Sequence, residues 1–401
     1  MDKTIKLYDD DAYAVSFTGR ILSAQETKQG FKVILDRTLF FPEEGGQSSD
    51  IGMLAGIPVT DVHIRDGVIT HTLAAAEHAQ EVLREGAEVS GEVDWERRFS
   101  NMQNHSGEHI VSGILHNQYG FVNKGFHLSL HSPVTIDVDG MLDDAQLLKL
   151  ERDANAVVYQ NVKITAEYPP REVLERTQYR SKIEIDGPVR LVTVEGIDIC
   201  ACCAPHVRSA GEIGLIRILS AEKTGEGMRI YLLCGERALL DLEKKENALR
   251  EISHLTSKKP EEADEGVRHL VEENARLRAE FTQLQMDWIG LKASQIPASL
   301  KSVLLFEKGL GGKAGRELIN LLTAAHEGLC AVFSGSDDTE YHFIIGSGSG
   351  GISARDAGDA LRENLSAKGG GSPQMVQGTV RAGAEQIRKT LEQWFPDAIM
   401  I

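Results

Sequence analysis

The first ninety residues alternate short β-branched runs with turn residues. Val33-Ile34-Leu35, the stretch from Val59 to Ile64 and the stretch from Gly67 to Thr72 are bounded by Gly, Asp or Pro, the mark of strands in a half-buried sheet. A small β-barrel or sheet is expected over 1–90. The pattern changes at Val93-Asp94-Trp95-Glu96-Arg97-Arg98, where a polar, helix-favouring stretch starts and runs through Ile114. Alternation returns from Gly125 to Asp139 and again from Val189 to Ile197. Between those runs the pattern predicts a helix from Leu142 to Asn161, with Asp143 and Asp144 placed early against the helix dipole. The segment 91–235 therefore reads as a mixed α and β core.

A third zone, 236–292, is plainly helical. Val267, Leu270, Leu277, Phe281, Leu284, Trp288 and Leu291 repeat at alternating steps of three and four, with Asn274 in the one remaining slot. That is a heptad seam. Leu239, Leu242, Leu249 and Ile252 mark a weaker preceding helix, and Pro260 lies in the polar break between the two. An antiparallel hairpin within the chain is the first expectation. A parallel coiled-coil dimer is the other, since a lone Asn at an a position specifies register and partner number. From 293 to 401 the pattern is strand, helix, strand. Val303 to Phe306, Leu329 to Phe333 and Tyr341 to Ile345 read as buried strands, with helices near Arg316 to Ala325 and Ala354 to Leu365. The whole is an α+β chain with an α/β C-terminal segment.

A length of 401 residues argues for two or three domains at roughly 150 residues each. The net charge of −17 excludes a broadly cationic nucleic-acid coat and disfavours an anionic membrane surface, while leaving room for a local basic patch on RNA. No apolar run is long enough to span a bilayer, and the polar start MDKTIKLYDDD lacks a signal-peptide core. A cytoplasmic protein is expected. Five cysteines are too few for a disulfide scaffold. Three of them, Cys200, Cys202 and Cys203, crowd together, which points to metal or redox chemistry.

The chemistry starts at His105 and His109, four apart in a helical stretch. That spacing stacks both imidazoles on one face, about 5–6 Å apart, and suits two ligands of one small cation. Cys202 and His206 make a second N/S half-site in a tight turn after a strand. Cys200 and Cys203 are rival thiols that the spacing does not exclude. A second histidine pair, His127 and His131, reads as ordinary strand side chains. His105-x-x-Glu108-His109 also fits a metalloprotease pattern in which the glutamate is general base, but that reading leaves Cys202 and His206 without a role. The remaining unusual stretch runs from Thr38 to Gln47. Its Gly45-Gly46 pair permits positive φ and close backbone approach, and Gln47 can present an amide there.

Three of these segments together resemble the editing domain of alanyl-tRNA synthetases. Asp36-Arg37-Thr38-Leu39-Phe40-Phe41-Pro42-Glu43-Glu44-Gly45-Gly46-Gln47 resembles its glycine-rich motif, and Val93 to Ile110 its H-x-x-x-H helix. Val189 to Gly214, with Cys202-x-x-x-His206-Val207 and Gly211-Glu212-Ile213-Gly214, resembles its C-x-x-x-H loop. Order and spacing agree, and no synthetase catalytic segment is seen ahead of them, so the chain resembles the long freestanding AlaX editing proteins. More loosely, Lys368-Gly369-Gly370-Gly371-Ser372-Pro373-Gln374-Met375-Val376-Gln377-Gly378 is similar to the end of the DHH-associated domain that closes those synthetases. No Asp-His-His cluster accompanies it. Two departures matter: Glu44 stands where the family more often has glycine, and Cys203-Ala204-Pro205 replaces the usual small Gly/Thr set.

The resemblance implies a trans-editing hydrolase that deacylates mischarged tRNA(Ala), Ser-tRNA(Ala) foremost and Gly-tRNA(Ala) as a second substrate. It implies Zn2+ held by His105, His109, Cys202 and His206. Alanine and serine differ by one hydroxyl, and a pocket separates such neighbours only about 10–200-fold, so a second, hydrolytic sieve is expected. Thr38 is expected to contact the serine hydroxyl, and Gln47 to orient water or the carbonyl, with Gly45 and Gly46 lining the substrate. Lys124 and Arg190 are the expected phosphate contacts. Arg171, Arg176, Arg180 and Lys182 are further candidates nearby, as are Lys308, Lys313, Lys368 and Arg381 in the C-terminal segment. Zinc in a catalytic or a structural role, a tRNA-binding module without catalysis, and a homodimer through the helical and C-terminal segments all stay open.

Overall fold

A computed structural model describes residues 2–28, 30–77, 79–130, 132–181, 187–310 and 312–396. His131 and Lys182, both considered above, lie outside the described residues. The chain falls into two units, Met1–Ala248 and Leu249–Ile401.

In the first unit, six strands close into a barrel in the order Ser16–Thr27, Gly30–Leu35, Val68–Ala74, Ile57–Arg65, Gly52–Leu54 and Glu88–Val93. Every neighbouring pair is antiparallel. Period-two alternation turns Val33, Leu35, Ile57, Val59, Ile69 and Leu73 inward, where Tyr8, Leu39, Phe40 and Phe41 complete the filling.

The helix Trp95–Tyr119 leaves the barrel directly. Asp94 caps it, its side chain accepting from Arg97 N at 3.0 Å, and Gly120 ends it in the left-handed region at φ 73°. Against it pack the helix Asp144–Gln160 and a four-stranded antiparallel sheet, Ile216–Lys223, Met228–Cys234, Val134–Val138 and Asn123–His127. The alternating run from Gly125 to Asp139 is thus two strands folded back on each other, with Pro133 in the connection. A three-stranded sheet, Ile164–Glu167, Leu191–Val194 and Asp198–Ala201, lies beside them. Strand Asp198–Ala201 can approach the helix because Gly113 lacks a side chain: a Cβ there would stand 2.8 Å from Asp198 Cβ.

Barrel and helix are locked by Arg98, which is fully buried. Its Nε donates to both oxygens of buried Asp50, at 3.2 and 3.1 Å, and its two terminal nitrogens reach the carbonyls of Ala12 and Leu39. Asp50 also accepts from Phe41 N at 2.7 Å. A buried charge must be this fully paired, because removing one partner costs about 3–5 kcal/mol. The lock holds both ends of the 39–50 stretch against the helix that carries His105 and His109.

The second unit is built on a five-stranded mixed sheet: Val303–Glu307, Leu329–Ser334, Tyr341–Ser347, Met375–Val380 and Lys368–Gly371. Alternate residues serve opposite faces. Val303, Leu305, Cys330 and Val332 meet Leu318, Ile319 and Leu322 of helix Gly312–Ala325. Leu304, Ala331 and Phe333 meet Ala357 and Leu361 of helix Ala354–Leu365, with Ile387 and Leu391 of helix Ala384–Leu391. Ahead of the sheet, helix Ala263–Gln295 inserts Ile289 into the first of these clusters. Its seam is open: Val267, Leu270, Leu277, Phe281, Leu284, Trp288 and Leu291 are all exposed. The buried residues of this helix are Ala263 and Gly266 at its start and Ile289 near its end. Among the described residues, no helix is long and apolar enough to cross a membrane.

Candidate metal centre

His105 and His109 lie one turn apart on helix Trp95–Tyr119, their rings 5.5 Å apart. Cys202 and His206 follow strand Asp198–Ala201. The structure brings these four together, with one donor atom from each lying within 4.8 Å of the others. Cys202 Sγ is 3.5 Å from His105 Nε2 and 3.4 Å from His206 Nε2. The His206 ring stands 4.9 Å from that of His105 and 4.7 Å from that of His109.

What would suit the cluster to a metal is the other nitrogen of each ring. His105 Nδ1 meets Gln47 Oε1 at 2.7 Å, His109 Nδ1 meets Asp198 Oδ2 at 3.0 Å, and His206 Nδ1 meets Ser106 Oγ at 2.9 Å. An acceptor at Nδ1 fixes the tautomer with its lone pair on Nε2 and aims that lone pair inward. Asp198 is itself held by Arg180, Nε and a terminal nitrogen each 2.7 Å from its two oxygens.

Electrostatics agree with the geometry. Burial opposes ionisation of Cys202, but His105 and His206 beside it bring the thiol well below its ordinary range. Burial pushes His206 down to about 3, so its imidazole is neutral and able to bind a cation. Burial would lower His109 too, but its bonds to Asp198 and Cys202 carry it well above the ordinary value. Burial would raise Asp198, yet its bonds to His109 and Arg180 keep the carboxyl low. Protons and a metal compete for these atoms, and a divalent cation would replace the proton that Asp198 and Cys202 hold on His109.

The glycine loop closes the site from the barrel side. Gly45 and Gly46 have φ of 63° and 84°, and a Cβ on Gly46 would lie 2.3 Å from the Phe126 carbonyl oxygen. The loop docks through Leu128 N donating to the Gly46 carbonyl at 2.7 Å and Ser48 N donating to the Leu128 carbonyl at 3.0 Å. Phe126, whose ring lies 4.6 Å from that of His105, joins the loop to the cluster. This docking delivers Gln47, 1% exposed, to His105.

Other expected residues fall elsewhere. Thr38 is fully buried in the barrel, its Oγ1 2.9 Å from His71 Nε2 and accepting from Phe40 N at 3.1 Å. Its hydroxyl is thus hydrogen-bonded within the barrel. Arg190 is buried as well, donating to the carbonyls of Cys202 and Ala204 at 3.1 and 2.8 Å. It braces the Cys202–His206 loop from inside. Arg180 is likewise bound to Asp198. Lys124 is half exposed and pairs with Asp139 at 3.5 Å. Of the rival thiols, Cys200 groups with His109 and Asp198 and is pushed up to about 11, chiefly by burial. Cys203, also raised by burial, bonds to Glu44. Glu108 accepts from Ser112 and Asn123 at 2.6 Å each, an engagement that leaves the metalloprotease arrangement unsupported.

Asp198 and Ser106 are the histidine partners that sequence reasoning missed. Ser106 sits between the two helical histidines, and Asp198 shares a strand face with Cys200. These weak local signals gain meaning only once the partners are in place.

Comparison with known proteins follows the same segments. Residues 189–231, containing Cys202 and His206, match the Threonyl and Alanyl tRNA synthetase second additional domain, and residues 6–97 match tRNA synthetases class II (A). Alanyl-tRNA editing protein Aarsd1-A of Xenopus laevis is 30% identical over 364 residues, covering 88% of this chain and 85% of that protein. The chain belongs to the alanyl-tRNA editing protein family. Within that family, Alanyl-tRNA editing protein AlaX-L of Pyrococcus horikoshii is 30% identical over 242 residues, 58% of this editing-family chain and 59% of AlaX-L. Alanine–tRNA ligases are also similar. That of Pyrococcus abyssi is 30% identical over 319 residues, 77% of this chain, and the aligned part spans 34% of the ligase's length.

Proposed function

We propose that this alanyl-tRNA editing protein is a zinc-dependent hydrolase that cleaves the ester of mischarged tRNA(Ala), with Ser-tRNA(Ala) the main substrate and Gly-tRNA(Ala) a second. The observation that carries the reading is the convergence of three Nδ1-oriented imidazoles and one thiolate at His105, His109, Cys202 and His206. Three nitrogens and a sulfur within 4.8 Å of one another are a preferred zinc donor set. When bound, zinc supplies a fixed positive charge beside the ester and a rigid frame for the loop that carries its ligands.

The chain's own residues supply the rest. Gln47 gives Oε1 to His105, while its Nε2 has no hydrogen-bond partner among the described residues. That supports its donating to the ester carbonyl or to the attacking water, where one well-placed donor contributes about 10²–10³-fold. Gly45 and Gly46 let the backbone run beside the scissile bond without side chains. Arg190 holds the carbonyls of the Cys202–His206 loop and thereby fixes two ligands.

For the polyanion, Lys124, Arg171 and Arg176 in the first unit, and Lys308, Lys313, Lys368 and Arg381 in the C-terminal one, remain outside the core. Contacts this few imply tRNA affinity that weakens with salt. We assign the C-terminal sheet unit to the DHH-associated class, as a tRNA-holding element. The exposed heptad seam supports a homodimer through the helical segment.

The deciding experiment is release of serine from Ser-tRNA(Ala), with Ala-tRNA(Ala) as control, by protein as purified, after chelation and with zinc restored. Selective, zinc-dependent release is expected. No release by zinc-loaded protein would overturn the assignment in favour of a tRNA-binding module.

A further inference from the structure

Two buried side-chain N–H groups on the helix and loop that meet at His105 lack a hydrogen-bond partner among the described residues: Gln47 Nε2 and Asn101 Nδ2. Gln47 is 1% exposed and Asn101 2%. Folded proteins pair almost all such donors, because an unpaired one lowers stability. Two of them on one face mark a place that something else completes.

Helix spacing puts them on one face. The 47–50 segment runs along helix Trp95–Tyr119 in the opposite direction. Asp50 pairs with Arg98. The Ser49 carbonyl and the Ser48 hydroxyl accept from Arg97 at 3.0 and 3.5 Å, and Gln47 Oε1 meets His105 Nδ1 at 2.7 Å. Asn101 follows Arg97 by four residues and precedes His105 by four, the separation that stacks side chains on one side of a helix. It therefore faces the same segment, between the contacts made by Ser48 and Gln47. From the barrel side Leu128 clamps that segment, donating to the Gly46 carbonyl and accepting from Ser48 N. Both amides are thus held by rigid elements.

The chemistry of the pair is one-sided. Gln47 Oε1 is taken by His105, so Gln47 presents N–H, as does Asn101 through Nδ2. A pair of N–H groups cannot accept the proton of an attacking water. It suits an oxygen that gains negative charge. In ester hydrolysis water adds to the carbonyl carbon and the C=O π pair moves onto the carbonyl oxygen. Collapse of that intermediate restores C=O and expels the ribose oxygen, which takes the proton released by the water.

We infer that Asn101 is a second oxyanion donor, its Nδ2 acting with Gln47 Nε2 on the carbonyl oxygen of the aminoacyl ester, an inference that rests on the editing reading above. Both donors are in place before the ester arrives, so they stabilise the developing charge without reorganising. The unpaired amides lower the stability of the resting protein, and the transition state is where they find their partner.

The test compares Asn101→Leu, Asn101→Ala and Gln47→Leu with the wild-type full chain: kcat and KM for Ser-tRNA(Ala) when zinc-loaded, zinc affinity, and melting of the metal-free protein. Asn101→Leu should lower kcat about 10²–10³-fold, the effect of losing one oxyanion donor, with KM unchanged. Its zinc affinity should match the wild type, whereas Gln47→Leu should lose zinc affinity as well as kcat, because His105 loses its partner. Melting of Asn101→Leu should be unchanged or raised, since an unpaired buried amide has been removed; a structural side chain would give the opposite. Asn101→Ala should show the same loss of kcat. Wild-type kcat in both Asn101 variants overturns the assignment, and so does a loss of kcat that comes with earlier melting in both. A zinc-loaded wild type that releases no serine overturns the editing reading, and the assignment with it.

Discussion

Asparagine at position 198 keeps the shape of the side chain and removes its charge. Asp198 is 7% exposed and joins two groups: Arg180, at 2.7 Å through each carboxylate oxygen, and His109 Nδ1 at 3.0 Å. Asp198→Asn leaves the guanidinium facing a neutral amide and removes the acceptor charge that makes His109 a good donor to a cation. Losing the charged partner of a metal-binding histidine weakens metal binding about 10–100-fold, or about 1.4–2.7 kcal/mol. Breaking a buried pair costs about 3–5 kcal/mol; Arg180 keeps some solvent contact, so the stability loss belongs at the low end. The assay is zinc affinity by competition with a chromophoric chelator, beside thermal unfolding of the metal-free protein. The variant Asp137→Asn is the control, because Asp137 pairs with Arg229 at 2.7 Å on a more exposed surface and should cost at most about 1 kcal/mol. If Asp198→Asn melts earlier yet binds zinc within twofold of the wild type, Asp198 is a structural ion pair and the account of His109 fails.

Thr38→Val should cost about 1–3 kcal/mol of stability, because His71 Nε2 and Phe40 N lose their partner. Selectivity for Ser-tRNA(Ala) over Ala-tRNA(Ala) should stay put, and a collapse of selectivity at unchanged melting temperature would return Thr38 to the substrate. His71 is fully buried and its value is lowered to about 4 by burial, against about 6.5 when unfolded. The unfolded chain therefore binds the proton first, so the neutral ring's contribution is intact above pH 6.5 and is lost as pH falls toward 4, about 3 kcal/mol in all. Chemical denaturation of the wild type and His71→Gln over pH 4–7 should show the steeper loss in the wild type; parallel profiles would refute this. Gly46→Ala should lower both melting temperature and Ser-tRNA(Ala) turnover, since φ of 84° and a carbonyl 2.3 Å from the new Cβ force the loop off the strand that seats it. Normal turnover would show that loop docking does not position Gln47.

Much of the local structure was legible because its causes are local. Asp94 and Gly120 delimit the long helix through caps that act within a turn, and the spacing of His105 and His109 places both on one helical face wherever that helix lies. Cys202 and His206 are likewise neighbours along the chain. The sequence by itself also determined the alternation that fills the barrel and divides the C-terminal sheet into two apolar faces.

Only the tertiary structure decided that the two half-sites, about a hundred residues apart, meet, since ring contacts of 4.7–4.9 Å depend on how helix, sheet and loop pack. It decided the roles of Asp198, Ser106 and Gln47, because a hydrogen bond needs a partner within about 3 Å and spacing along the chain does not report that distance. It placed Thr38 inside the barrel against His71 and Arg190 beneath the Cys202–His206 loop. A motif states which side chains a segment carries; packing decides whether each one faces a ligand, a neighbour or the core.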